Sequence, residues 1–149
     1  IKQVIELVKY TEIHRAIVKK LEENTGVEAL SVDEGITRPS FFISLDNIKA
    51  RDFMREALDR EITVRIYYFP STIDNNKIEL LNMQDKLSAL FLEDNLIKVN
   101  EYVNIEVDEL EFSIVDKVLH CYFDIRLCEN YNRIDNIPVM ENLEIERKG

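Results

Sequence analysis

The sequence is poor in the residues that punctuate or staple a chain. Among 149 residues there are three glycines, three prolines, two cysteines and no tryptophan. Glycines at positions 26, 35 and 149 alone cannot build a Gly-rich phosphate loop. A GxSxG nucleophile elbow, an HExxH helix and an EF-hand loop are also missing. No apolar run approaches the roughly 18 to 20 residues of a membrane-spanning helix. The N-terminal stretch IKQVIELVKYTEIHR is broken by charge too often to act as a secretory h-region, which points to the cytoplasm. Basic residues are outnumbered, 19 against 29 acidic, giving a net charge of −10 and a pI near 4.7. A nucleic-acid duplex or an anionic membrane is a poor partner for such a surface, because neutralising phosphates takes clustered Lys and Arg. A protein or a cation fits better.

The two cysteines, Cys121 and Cys128, fall in one expected strand. Their separation of seven puts them on opposite faces, about 23 Å apart at roughly 3.3 Å per residue. A disulfide needs α-carbons within about 7 Å, so they do not pair with each other. With His14 and His120 distant in sequence, the paired-ligand spacing of a zinc site is lacking, and no metal or cofactor is expected.

What the chain does contain is hydrophobic periodicity, and 46% of its residues are hydrophobic, enough for one domain with a real core. Leu7, Tyr10, Ile13, Ile17 and Leu21 recur at spacings of three and four and stop at Asn24-Thr25-Gly26, which predicts a helix over 3–24. Val4 and Val8 form a second ridge, either core or a surface for another subunit. Ala29 to Val32 reads as a short strand. Pro39 can open a strand but not continue one, so EGITRPSFFISL describes a turn at Gly35, able to take positive φ, followed by a strand over Ser40–Leu45. Residues 46–61, dense in charge, read either as an exposed helix or as the distal part of a long hairpin. Ile62, Val64, Ile66 and Tyr68 then alternate with Thr63, Arg65, Tyr67 and Phe69 in a strand that Pro70 stops. With Asp74 as N-cap, Leu80, Met83, Leu87, Leu90 and Phe91 line a second helix. Alternation over Val103–Val107, Leu110–Ile114 and Leu119–Leu127 predicts a three-stranded meander. The sum is an α+β single domain, mainly antiparallel sheet with two helices packed on one face, and residues 130–149 as a C-terminal extension.

Chemistry-bearing clusters are few. Glu106, Asp108, Glu109, Glu111 and Asp116 crowd the meander, where they either hold Mg²⁺ through a few oxygens or form a solvated face with a hairpin turn at Asp108-Glu109. His120 shares its strand face with Tyr122, Asp124 and Arg126, and no catalytic constellation accompanies it. No catalytic residues are assigned.

Joined along the chain, EGITRPSFFI, ITVRIYYFP, a leucine-rich helix, IVDKVLHCYFDI and the late VMENL resemble the phage tail terminator family of Gram-positive phages and phage-derived contractile particles. The family pattern runs Gln-Gly, then Pro, a small residue and Phe-Phe-Ile; later a Tyr-Phe strand end; then Asp-Gly-Val-Leu-His before the last core strand. Gly35, Pro39, Phe41, Phe42 and Ile43 match the first block. Tyr68 and Phe69 match the second, and Asp116, Val118, Leu119 and His120 the third. Glu34 stands for the glutamine. Lys117 stands for the glycine, at a turn whose tight two-residue form would want positive φ.

The resemblance implies a structural protein without enzymatic activity. It would form a homo-oligomeric ring, normally of six subunits, on the last layer of the tail tube, stop tube growth and, in contractile tails, meet the sheath protein. Assembly would take place in the bacterial cytoplasm. Within that frame Glu106, Asp108, Glu109 and Glu111 are the candidate partner contacts. The competing readings are a small acidic Mg²⁺-dependent enzyme, phosphoesterase-like, and an acidic inhibitor of a basic protein.

Overall fold

The computed structural model describes residues 7–30 and 36–131. Helix α1 spans Tyr10–Thr25, and its buried stripe is Ile13, Ile17 and Leu21. The expected start at residue 3 is corrected at its described end: Leu7 to Lys9 are not helical, and Lys9 is extended as the N-cap. The reason is tertiary. The Val8 amide donates at 3.1 Å to the Glu129 carboxylate, from the far end of the chain, so the segment runs along the sheet. Val8 is itself buried in the core, while Val4 lies outside the described residues. Gly26 ends the helix at φ 72°, and its amide bonds Glu22, the left-handed stop expected of glycine.

Strands β1 (Ala29–Leu30), β2 (Ser40–Phe53) and β3 (Ala57–Phe69) follow. β1 is parallel to β2, whereas β2 and β3 form one long antiparallel hairpin. Residues 46–61 are therefore hairpin and not helix. A register shift between Asp46 and Lys49 interrupts the ladder there, and such a bulge breaks the period-two pattern that sequence reading relies on. Helix α2 (Lys77–Ser88) continues into a π-helical turn over Ala89–Glu93. Its N-cap is Asn76 and not Asp74, whose carboxylate instead accepts from Lys117 Nζ at 2.5 Å.

The meander is also corrected. β4 (Leu96–Lys98) and β5 (Asn104–Glu106) make a separate two-stranded sheet. Only β6 (Glu111–Val115) and β7 (Val118–Asn130) join the main sheet, whose order is β1-β2-β3-β7-β6. Residues 107–110 cross between the two sheets, so no hairpin turn forms at Asp108-Glu109. The Val107 amide bonds the Asn95 carbonyl at 2.8 Å and keeps β5 with β4.

One core unites these elements. Phe41, Ile66, Leu119 and Cys121 on the sheet pack with Ile17, Leu21, Leu87 and Phe91 of the helical layer and with Ile97 and Ile105 of the small sheet. Cys121 is buried and Cys128 exposed, on opposite faces of β7 as the spacing requires. Burial pushes the Cys121 thiol up to about 12, which leaves it an inert core group.

Candidate functional site

The three sequence blocks converge on adjacent rows of the sheet. Register pairs Phe41 with Tyr68 and Tyr68 with Leu119. These three are buried, and the Phe41 and Tyr68 rings lie 5.2 Å apart. One residue along, Phe42 pairs with Tyr67 and Tyr67 with His120, on the opposite face. Their rings are 5.9 and 4.7 Å apart, a half-buried aromatic row with no helix against it among the described residues. Beside that row the Arg65 guanidinium stacks 4.7 Å from the Tyr122 ring. Alternation told the two faces apart. That Tyr67 and Arg65 share this face with Phe42, His120 and Tyr122 needed the strand register, which no motif carried.

The block residues at the strand ends hold turns in place. Pro39, exposed, precedes β2 by one residue. Gly35 lies outside the described residues. Phe69 sits 5.9 Å under the Arg38 guanidinium, which also donates to the Pro70 carbonyl at 3.2 Å. Asp116 and Lys117 form the tight β6–β7 turn at φ 52° and 63°, so Lys117 takes the left-handed conformation that glycine would adopt without strain. Burial, aided by the nearby Arg65 charge, pushes the His120 imidazole below its ordinary value although Asp116 opposes the shift. A neutral, ring-packed histidine results.

Tyr68 carries a further role. Its hydroxyl donates to Glu79 at 2.6 Å, and the Ser71 amide and hydroxyl donate to the same carboxylate at 2.8 Å each. Burial raises the Glu79 pKa, but these donors outweigh it and the net shift is downward. A depressed carboxylate stabilises the fold above its unfolded value of about 4.5 and loses that contribution as pH falls through the lower folded value. Glu79→Gln is accordingly expected to cost about 1 to 2 kcal/mol at pH 7. Thermal denaturation across pH should show the gap between the two proteins closing below about pH 4.5; a gap that is constant with pH would remove the carboxylate from this role.

The four acidic candidates lie where the two sheets meet. Glu106 is exposed on β5, Asp108 and Glu109 on the crossing segment, and Glu111 at the start of β6. Asp108, Glu109 and Glu111 line a groove of about 220 Å³ whose other walls are Tyr122, Phe123 and Asp124. Among the described residues, no group of three His, Cys, Asp or Glu side chains is placed to hold a metal ion.

Two features escaped sequence reading. The first is the exposure of large apolar side chains at the end of the β2–β3 hairpin, where Phe53 is 52% and Met54 74% exposed. The second is a buried ion pair of Arg60 with Glu129, side chains 3% and 14% exposed, with Arg60 also 5.0 Å over the Tyr10 ring.

The described residues form an α+β domain whose motif residues occupy both faces of one sheet, one row buried and one half-buried. The particular family follows from comparison with known proteins: the model of the phage tail terminator proteins matches residues 12–137, and the chain belongs to that family. No curated protein matches the sequence. The chain is thus a phage tail component with a tail-terminating, structural role.

Proposed function

We propose that this chain forms a ring, six-membered on the family resemblance, that seats on the last layer of a phage or phage-like contractile tail tube. It stops polymerisation there and meets the top of the sheath. The mechanism is binding and blocking, without covalent chemistry, and assembly takes place in the bacterial cytoplasm. The whole chain acts as one terminator domain, with residues 130–149 as its extension. The observation that carries the reading is the placement of the family blocks in neighbouring rows of one sheet, Phe41-Tyr68-Leu119 inward and Phe42-Tyr67-His120 outward. The inward row fixes the sheet. The outward row leaves aromatic surface for another protein to cover, and buried aromatic contacts supply most of an interface's affinity.

The acidic residues tune that association, since exposed charges act chiefly on rate and salt dependence. Glu109→Lys with Glu111→Lys is expected to weaken capping of tube ends most at low salt, with an unchanged melting temperature. The effect should shrink toward physiological ionic strength, where the screening length is about 8 Å. Negative-stain imaging of tubes grown with the wild-type protein should show rings at tube ends and a limited tube length. Tubes that grow unchecked, with no density at their ends, would overturn the terminator reading.

A further inference from the structure

We propose that His120 makes the outward aromatic face acid-sensitive: a partner seats on the row while the imidazole is neutral and is released as the ring takes a proton. The inference deepens the reading above, and rests on it, because there the outward row is the surface that another protein covers.

The ring sits where a neutral histidine fits and an imidazolium does not. It meets the Tyr67 ring nearly edge on, with centroids 4.7 Å apart, and Phe42 lies one ring further along, 5.9 Å from Tyr67. Its Nδ1 is buried, and no group among the described residues bonds it. A neutral imidazole needs a proton on one nitrogen only, so it leaves this position as a bare lone pair. The imidazolium carries N–H on both nitrogens, and a buried charged donor without an acceptor is costly. A phenylalanine here would complete an apolar row without an orphaned nitrogen; histidine adds a group that titrates near neutrality.

The surrounding charges do not relieve the cation. On β3, the Arg65 guanidinium stacks on Tyr122 in the next outward row and repels a second positive charge. Tyr67 of the same strand contributes its ring. From the loop before β2, Arg38 lies over Phe69 on the other side of the row. β6 places Ser113 opposite His120 and the exposed Glu111 opposite Tyr122. The turn supplies Asp116, whose attraction is weaker than the effects of burial and Arg65, and Lys117, whose Nζ donates to Asp74 at 2.5 Å.

Covering the row sharpens the contrast. His120, Tyr67 and Phe42 are only half-buried in the free chain, so a partner seated on them strips the remaining water from the ring and disfavours its charged form further. Linkage is reciprocal: what covering does to the proton, the proton does to covering. Affinity is therefore flat with pH while the ring is neutral. Below the midpoint of the free chain it falls by up to about tenfold per pH unit, the limit for one proton.

The chain has two histidines, so His14→Gln leaves His120 as the only imidazole. In that background the His120 ring protons, followed by NMR from pH 8 to about 5, should titrate with a midpoint below 6.5, and the Tyr67 ring signals should move with them. Co-sedimentation with purified tail tubes over the same range should show binding that weakens as the ring titrates. His120→Phe in the same background keeps an aromatic ring and takes no proton. Whatever its affinity at pH 8, its binding should not follow the histidine midpoint. A midpoint at or above 6.5, or the same pH dependence in both proteins, would overturn the acid response while leaving the outward face as the partner surface. Failure of both the wild type and the His14→Gln protein to sediment with tubes at pH 8 would instead remove the outward-face reading, and the acid release with it.

Discussion

Glu129→Leu is expected to destabilise the protein by about 3 to 5 kcal/mol, because it strands the buried Arg60 guanidinium without its counter-charge. The carboxylate also takes the Val8 amide at 3.1 Å, so the same change releases the segment before α1. At the scale of this domain that is a drop of roughly 6 to 20 °C in melting temperature. The double replacement Arg60→Met/Glu129→Leu should recover most of the loss. Swapping a buried pair for apolar groups of similar volume is often neutral, since the desolvation of both charges is avoided. Chemical denaturation of the three proteins checks the argument. A double variant no more stable than the single would mean that the pair does more than neutralise itself.

Phe41→Ala is expected to cost about 3 to 5 kcal/mol, the usual range for emptying a buried phenylalanine site. Phe41 is fully buried and packs on Tyr68 at 5.2 Å. Phe42→Ala, one residue along, should cost only about 1 kcal/mol, mostly its contact with Tyr67, yet reduce tube capping more than Phe41 variants that still fold. Melting curves and tube-length measurements on both proteins separate the roles. Equal melting losses would show that the outward row is as structural as the inward one.

These two phenylalanines also mark how far sequence reading reached. The FFI run, opened by Pro39, was legible as a strand with one ring in and one out, because side chains alternate along any strand. The alternation from Ile62 to Phe69 and the stripes Ile13-Ile17-Leu21 and Leu80-Met83-Leu87 were legible for the same reason of period. Residues 46–61 were legible only as a choice between helix and hairpin, since the bulge after Asp46 shifts the pattern and β2 faces water on that stretch. The start of α1 was misread because Val8 and Leu7 continue the helical spacing while their backbone is claimed by Glu129, 121 residues away.

The candidate site divides along the same line. Sequence supplied its residue types, Phe42, His120 and the carboxylates from Glu106 to Glu111, together with the order of the family blocks. Tertiary structure brought Tyr67 beside Phe42 and His120, placed β5 in a second sheet and ran β2 and β3 on as one long hairpin. By itself the sequence determined the two helical stripes, the strands over Ser40–Leu45, Ile62–Phe69 and Leu119–Leu127 and which of their faces are apolar, because those depend on local periodicity and proline or glycine punctuation. Register, the choice of sheet for β5 and the burial of Arg60 against Glu129 were decided only in three dimensions, since each depends on pairing energies between segments far apart in the chain.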